Sequence, residues 1–224
     1  MINSVKEIED KIAIRNVIVS VADKSGIIEF MSAMAEICPG LTVYSTGGTY
    51  NMLTKNKSVI ALRNVSDYTG QPEMQGGLVK TLDYKIYTGL LSEPGNPAHA
   101  DDLKRIDGTT FDMVIVNLYP FEKMIKTDGC TVEDARSNID IGGPCMLRAS
   151  AKNFLRVAGV CDPGDYDSLL KELQENGGSL TLNTRKKLAE KTFRRTAAYD
   201  AEIAAYMESK TAENLQNDYT VAGL

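Results

Sequence analysis

Three Val/Ile-rich stretches, each separated from the next by a glycine-bearing polar loop and a helical pattern, constrain the fold of this chain most. Ala13–Val21 is the first, and Asp23-Lys24-Ser25-Gly26 follows it. Ile27, Phe30, Met31, Met34 and Cys38 then recur at helical spacing until Pro39-Gly40 ends the helix. Leu41–Tyr44 reads as a second strand and Ser45-Thr46-Gly47-Gly48-Thr49 as its loop. Tyr50–Lys55 begins another helix, and Val59–Val65 reads as a third strand. Strands alternating with helices imply a parallel sheet. Both loops then fall at the carboxyl ends of neighbouring strands, the rim where open α/β sheets bind ligands.

A fourth apolar run, Met113-Val114-Ile115-Val116, reads as a buried strand that delivers Asn117 and Tyr119 to the same rim. Beyond it, Thr131-Val132-Glu133-Asp134 fits a capping box, and Pro144–Lys152 reads as a helix. Arg156–Cys161 is a further strand. Tyr166, Leu169, Leu170 and Leu173 form a helical stripe that Gly177-Gly178 ends. A long helix is expected from about Asn183 to Met207. Its Arg185, Lys186, Lys187, Arg194 and Arg195 read as a solvated face rather than a nucleic-acid patch. Leu78–Leu91 reads equally as an irregular strand or a helix-turn segment, Ser92–His99 as a surface loop, and Asp101–Ile106 as a short helix.

A single domain spanning residues 13–207 is expected, with a charged arm at 1–12 and a flexible tail at 208–224. The hydrophobic fraction of 43% suffices for a core, and a net charge of −5 gives no electrostatic case for nucleic acid. No apolar run approaches the roughly 20 residues that span a bilayer, so no membrane role is expected. With no signal-peptide core at the start of the chain, the expected location is the cytoplasm. Cys38, Cys130, Cys145 and Cys161 form no C-x-x-C pair, and His99 is the single histidine. Reduced thiols and no metal site are expected.

Ser45–Thr49 supplies hydroxyls and backbone N–H groups ahead of a helix, the ingredients of a phosphate cradle. Taken alone it reads as well as a plain turn. Asp23-Lys24-Ser25-Gly26 strengthens the phosphate reading by adding a cation, while Asp23 or Ser25 also suits a helix cap. Lys80 and Lys152 each read equally as solvated surface lysines, Tyr119 as a core aromatic with a polar tip, and Asp140 as a turn cap.

The combination is more specific than its parts. Val21–Gly26, Ser45–Thr49, Ser66–Gly70, Val79–Leu82, Asn117–Phe121, Ile139–Pro144, Leu147–Asn153 and Thr196–Asp200 occur in this order. Together they resemble the inosine monophosphate (IMP) cyclohydrolase domain of the bifunctional purine-biosynthesis protein, over roughly residues 13–207. The resemblance implies a three-layer, methylglyoxal-synthase-like α/β fold, a parallel sheet with helices on both faces, plus a helical C-terminal extension. It implies dehydrative closure of 5-formamidoimidazole-4-carboxamide ribotide to IMP, with no cofactor or metal. It further implies a homodimer and, for a stand-alone cyclohydrolase, a separate formyltransferase. By the same resemblance Lys152 transfers protons, and Lys80, Tyr119 and Asp140 position and polarise the base. Asp23, Lys24, Thr46, Gly47, Gly48, Thr49 and Thr81 hold the ribose phosphate, and Asn117 and Ile141 line the base pocket.

The chain departs from the family pattern in one segment. Leu78 replaces an arginine, Asp83 a histidine and Tyr87 a second histidine. Losing the arginine removes a bidentate phosphate anchor, for which Lys24 or Lys85 would have to compensate. Two alternatives follow: a purine-ribotide-binding protein without catalysis, or a methylglyoxal-synthase-like enzyme with a shifted substrate.

Overall fold

The computed structural model describes residues 5–56, 61–72, 74–75 and 79–220. In chain order the first half runs β1 (Lys11–Ala13), β2 (Asn16–Val21), α1 (Ile27–Ile37), β3 (Thr42–Ser45), α2 (Gly47–Asn56), β4 (Ala61–Asn64) and α3 (Val65–Thr69). Then come α4 (Tyr84–Leu91), α5 (Pro97–Arg105), β5 (Met113–Asn117), α6 (Phe121–Ile125), α7 (Val132–Ser137) and α8 (Gly142–Lys152). The last part holds β6 (Ala158–Val160), α9 (Tyr166–Glu175), β7 (Ser179–Thr181), α10 (Leu182–Glu208) and α11 (Ala212–Asp218). No helix among the described residues is long and apolar enough to cross a membrane.

Five parallel strands form the central sheet in the order β4-β3-β2-β5-β6. Successive residues of a strand face opposite sides of a sheet, and here both sides are buried. Val17, Val19 and Val21 of β2 and Met113 and Ile115 of β5 meet Ile27, Phe30, Met31 and Met34 of α1 and Leu169 and Leu173 of α9. Ile18, Val114 and Val116 face the other way, toward Ile86 and Leu90 of α4 and Met146 and Leu147 of α8. The result is the expected three-layer α/β fold. The chain winds from β2 toward β3 on one side and from β5 toward β6 on the other. The switch point of the sheet therefore lies between β2 and β5, where a ligand crevice is expected.

Several expectations are corrected. The charged arm expected at 1–12 ends in a strand: β1 pairs antiparallel with β7, Ile12 opposite Leu180. Arg185 is not solvated but fully buried. Its guanidinium donates to the carbonyls of Glu9, Asp10, Phe154, Leu155 and Leu180, stitching the arm, the β6 approach and α10 together. A planar fork of five donors suits such a site, whereas Lys186 beside it is exposed and pairs with Glu190. The tail expected to be flexible forms α11, with Thr211 and Asn214 in a capping box. Asp218 accepts from the Val132 N–H, and Tyr219 bonds Glu133, so α11 is docked on α7.

Of the two readings of Leu78–Leu91, Tyr84–Leu91 is a helix, and Asp83 caps it by accepting from the Lys85 N–H at 2.7 Å. The helix expected at Asp101–Ile106 begins earlier, at Pro97, because Asn96 caps it and Pro97 suits a first turn. His99 therefore lies on a helix, its Nδ1 accepting from the Glu93 N–H. The start of the expected third strand, residues 59–60, lies outside the described residues.

Candidate active site

The site is built where β2, β3 and β5 end. β2 and β5 are in register, with Val21 opposite Asn117. That register sets the Asn117 side chain beneath the loop leaving β2. Its Oδ1 accepts from the Ala22 N–H at 2.7 Å and the Asp23 N–H at 2.8 Å, and its Nδ2 donates to the Asp23 carbonyl. Asn117 thus fixes the loop that carries Lys24; its side chain is engaged there rather than offered to a base.

The loop after β3 is fastened in the same way. Ser45 Oγ donates to the Val19 carbonyl, and Thr49 Oγ1 bonds both the N–H and the carbonyl of Val21. The Thr49 hydroxyl therefore ties the loop to the end of β2. Gly47 has φ 55°, a conformation that favours glycine. A Cβ there would stand 3.1 Å from Lys80 Nζ, and one on Gly48 would stand 3.9 Å from Lys24 Nζ. Two ammonium groups thus converge on the first turn of α2, whose leading N–H groups have no partner within the helix. Dipole, amides and lysines all favour an anion at this point.

The opposite wall comes from the start of α8. A Cβ on Gly142 would lie 2.6 Å from Thr81 Oγ1, so the glycine lets the Lys80-Thr81 segment close against the helix. A Cβ on Gly143 would overlap the Asp140 carboxylate. Asp140 Oδ1 accepts from the Gly143 N–H at 2.9 Å, and the Asp140 N–H donates to the buried Tyr199 hydroxyl at 2.8 Å. Burial pushes the Asp140 carboxyl above the usual carboxylate range, and the Gly143 N–H only partly offsets this.

These walls enclose a cavity of about 400 Å³. Lys24, Thr46, Gly47, Gly48, Thr49, Lys80, Thr81, Asn117, Tyr119, Asp140 and Ile141 all line it. Tyr119, 57% exposed, stands at the rim. Two expected residues do not join. Asp23 faces a neighbouring cavity, and its carboxylate is held below the usual range chiefly by the Ser25 hydroxyl and N–H. Lys152 is exposed in the last turn of α8, while the cavity touches the first turn; at 1.5 Å per residue the two are about 15 Å apart along the axis. The rest of the Leu147–Asn153 motif is architectural, for buried Asn153 donates to the Leu90 and Ser92 carbonyls.

Tyr199 is the supporting residue that sequence reasoning did not assign. It lies within Thr196–Asp200, a segment quoted only as a match, whose role becomes visible once α10 lies against α8. The departures also find places. Asp83 is a helix cap and does not line the 400 Å³ cavity. Tyr87 is tucked under the Asp140 wall, and its hydroxyl makes no hydrogen bond among the described residues. Burial raises its pKa, with Cys145 and Asp140 adding to the rise. Lys85 is spent on the Tyr68 carbonyl and ring, whereas Lys24 reaches the Gly47-Gly48 turn. Leu78 lies outside the described residues.

A parallel-sheet protein with an anion-favouring crevice at its switch point is the class that fold and site define. The family model described as the MGS-like domain matches residues 26–145, and the one described as the AICARFT/IMPCHase bienzyme matches residues 150–223. A solved structure titled "Crystal structure of ForH" is similar to this chain with a TM-score of 0.72 and 32% identity, over 86% of this chain and 98% of that one. The chain belongs to the MGS-like domain family, and it is a relative of the IMP cyclohydrolase group within that fold.

Proposed function

We propose that this chain is an IMP cyclohydrolase, closing the pyrimidine ring of 5-formamidoimidazole-4-carboxamide ribotide with loss of water. The observation that carries the reading is the convergence of Lys80, Tyr119 and Asp140 on one cavity whose floor is the Gly47-Gly48 turn beside Lys24. The α2 amides and Lys24 hold the ribotide phosphate, and the base lies toward Ile141 and Tyr119. The carboxamide nitrogen attacks the formyl carbon; a C–N bond forms and the carbonyl electron pair moves to oxygen. Lys80 stabilises that oxyanion, a contribution of a few kcal/mol for a well-placed donor. The attacking nitrogen loses one proton and the oxygen gains one. The hydroxyl then leaves with a second proton as water, and the C=N bond forms as the former formamido nitrogen gives up its N–H proton, so the proton count closes. Asp140, whose carboxyl is pushed above its ordinary range by partial burial, supplies the proton to the departing hydroxyl. Written this way, the reaction uses no metal or organic cofactor.

Lys152 takes no part within its own subunit in this reading. The homodimer, the separate formyltransferase and the cytoplasmic setting remain part of the proposal. The non-catalytic alternative rested on the altered Leu78–Tyr87 segment, and it loses ground because Asp83 caps α4 instead of entering the cavity. A methylglyoxal-synthase-like reaction lacks its imidazole, since His99 is bonded to Glu93 and is no part of the cavity lining. The test is to mix purified protein with the formamido ribotide and follow IMP formation by ultraviolet absorbance. Turnover is expected, and tight product binding without turnover above background refutes the enzyme reading.

A further inference from the structure

A second cavity, of about 690 Å³, adjoins the first on the β6 side of the switch point. The two share Ala22, Asn117 and Tyr119, so the crevice has two lobes divided by the ends of β2 and β5. The walls of the second lobe are rich in cations. Lys191 is fixed there by Asp162 at 2.7 Å and Asp165 at 2.8 Å, which neutralise it locally. Asp23 is engaged by Ser25. Arg194 and Arg195 differ: both line the cavity, and neither makes a hydrogen bond or ion pair among the described residues. Arg195 is half-buried.

Two guanidinium groups that make no hydrogen bond among the described residues stand in this concave rim. With Lys123 and Lys191 they outnumber the carboxylates of Asp23, Asp162 and Asp165, leaving a local excess of positive charge that favours an anion. Guanidinium forks fit the tetrahedral oxygens of phosphate. We infer that this second lobe is a phosphate site, taking either free phosphate or the phosphate of a second small molecule, with Arg194 and Arg195 as its anchors. It is separate from the Gly47-Gly48 cradle and does not depend on the reaction proposed for that cradle. Tyr119 and Asn117 lie between the two lobes.

The test is direct binding of inorganic phosphate and of ribose 5-phosphate to the full chain, by calorimetry at low salt. Two sites are expected. The double variant Arg194→Ala/Arg195→Ala should weaken one site by about tenfold or more and spare the other, and Lys24→Ala should do the reverse. In the unsubstituted protein, phosphate should protect Arg194 and Arg195 from an arginine-specific dicarbonyl reagent, read by peptide mass spectrometry. Tighter binding of ribose 5-phosphate than of phosphate at the arginine site identifies a phosphorylated small molecule as the occupant; equal affinity identifies free phosphate. A single site in the unsubstituted protein, two unchanged sites in the double arginine variant, or no protection of either arginine would overturn the inference. None of these readouts requires turnover, so their failure is distinct from failure of the cyclohydrolase reading.

Discussion

Gly143→Ala sets three effects against one another at the wall of the candidate site. The added Cβ overlaps Asp140 Oδ2 and stands 2.9 Å from Leu118 Cδ2 and 3.0 Å from Asp140 Cγ. Overpacking of this kind costs about 1–3 kcal/mol. Moving the carboxyl aside breaks its 2.9 Å bond to the Gly143 N–H, worth about another 1 kcal/mol while the group is protonated. Against this, replacing glycine by alanine in a helix gains at most about 1 kcal/mol. The net expectation is a loss of about 1–3 kcal/mol in stability, read by denaturant unfolding. Turnover should suffer more, because the displaced group is the proposed acid: about 100-fold or more, the lower end of what a positioned acid or base contributes. Gly142→Ala is the control. Its Cβ meets Thr81 Oγ1 at 2.6 Å instead of the carboxyl, so it should disturb ligand affinity before the chemical step. Gain of stability in Gly143→Ala with unchanged turnover would refute the packing argument and the role of Asp140 together.

Arg185→Ala should destabilise the protein by about 4 kcal/mol, since it leaves five backbone carbonyls without their donor in a buried site; a change under about 1 kcal/mol by chemical denaturation contradicts the stitching role. Lys152→Ala should keep turnover within about threefold, because the lysine is exposed at the far end of α8. Loss of turnover that mixing with a cavity-defective variant restores would instead show that Lys152 serves the cavity of a second copy. Asp83→Ala should cost about 1 kcal/mol through loss of the α4 cap, visible as a lower Tm with ligand affinity nearly unchanged; a rise in phosphate affinity would show that the carboxylate does act on the ligand.

The sheet was legible because buried parallel strands leave near-continuous apolar runs, and Met113–Val116 is such a run. The site loops were legible because glycine marks where a chain turns or comes close, and Gly47, Gly142 and Gly143 each meet a functional side chain. Arg185 was misread because its neighbours along the helix are solvated and nothing local separates it from them. Its burial depends on five carbonyls contributed by the distant arm, β7 and the loop before β6. Asp83 looked like a charge added against a phosphate because the helix it caps was undecided in the sequence. Lys152 was assigned by motif, and a motif that runs along a helix of eleven residues has two ends. Only Gly142-Gly143 at the first end meets the cavity, while Asn153 beyond the second secures α4.

The cavity brings a half-buried acid and an anion-favouring floor within one space, and this couples proton to ligand. The Gly143 N–H alone would lower the Asp140 pKa, yet partial burial outweighs it and the carboxyl is pushed above its ordinary range. Because the folded pKa is raised, Asp140 contributes stability at acidic pH, and that contribution is lost as pH rises through the folded value. A phosphate dianion then adds to the rise. A cavity of about 400 Å³ is about 9 Å across if taken as a sphere. One charge at that distance contributes about 2 kcal/mol at an effective dielectric constant of 20, so each negative charge raises proton affinity about twentyfold. Ribotide binding should therefore take up between zero and one proton, most strongly just above the pKa of the free protein. Calorimetry in buffers of different ionisation enthalpy measures this directly, and Asp140→Asn should remove the uptake while the ribotide still binds. Equal uptake in that variant would mean that the proton enters elsewhere and that burial does not hold Asp140 ready as the acid.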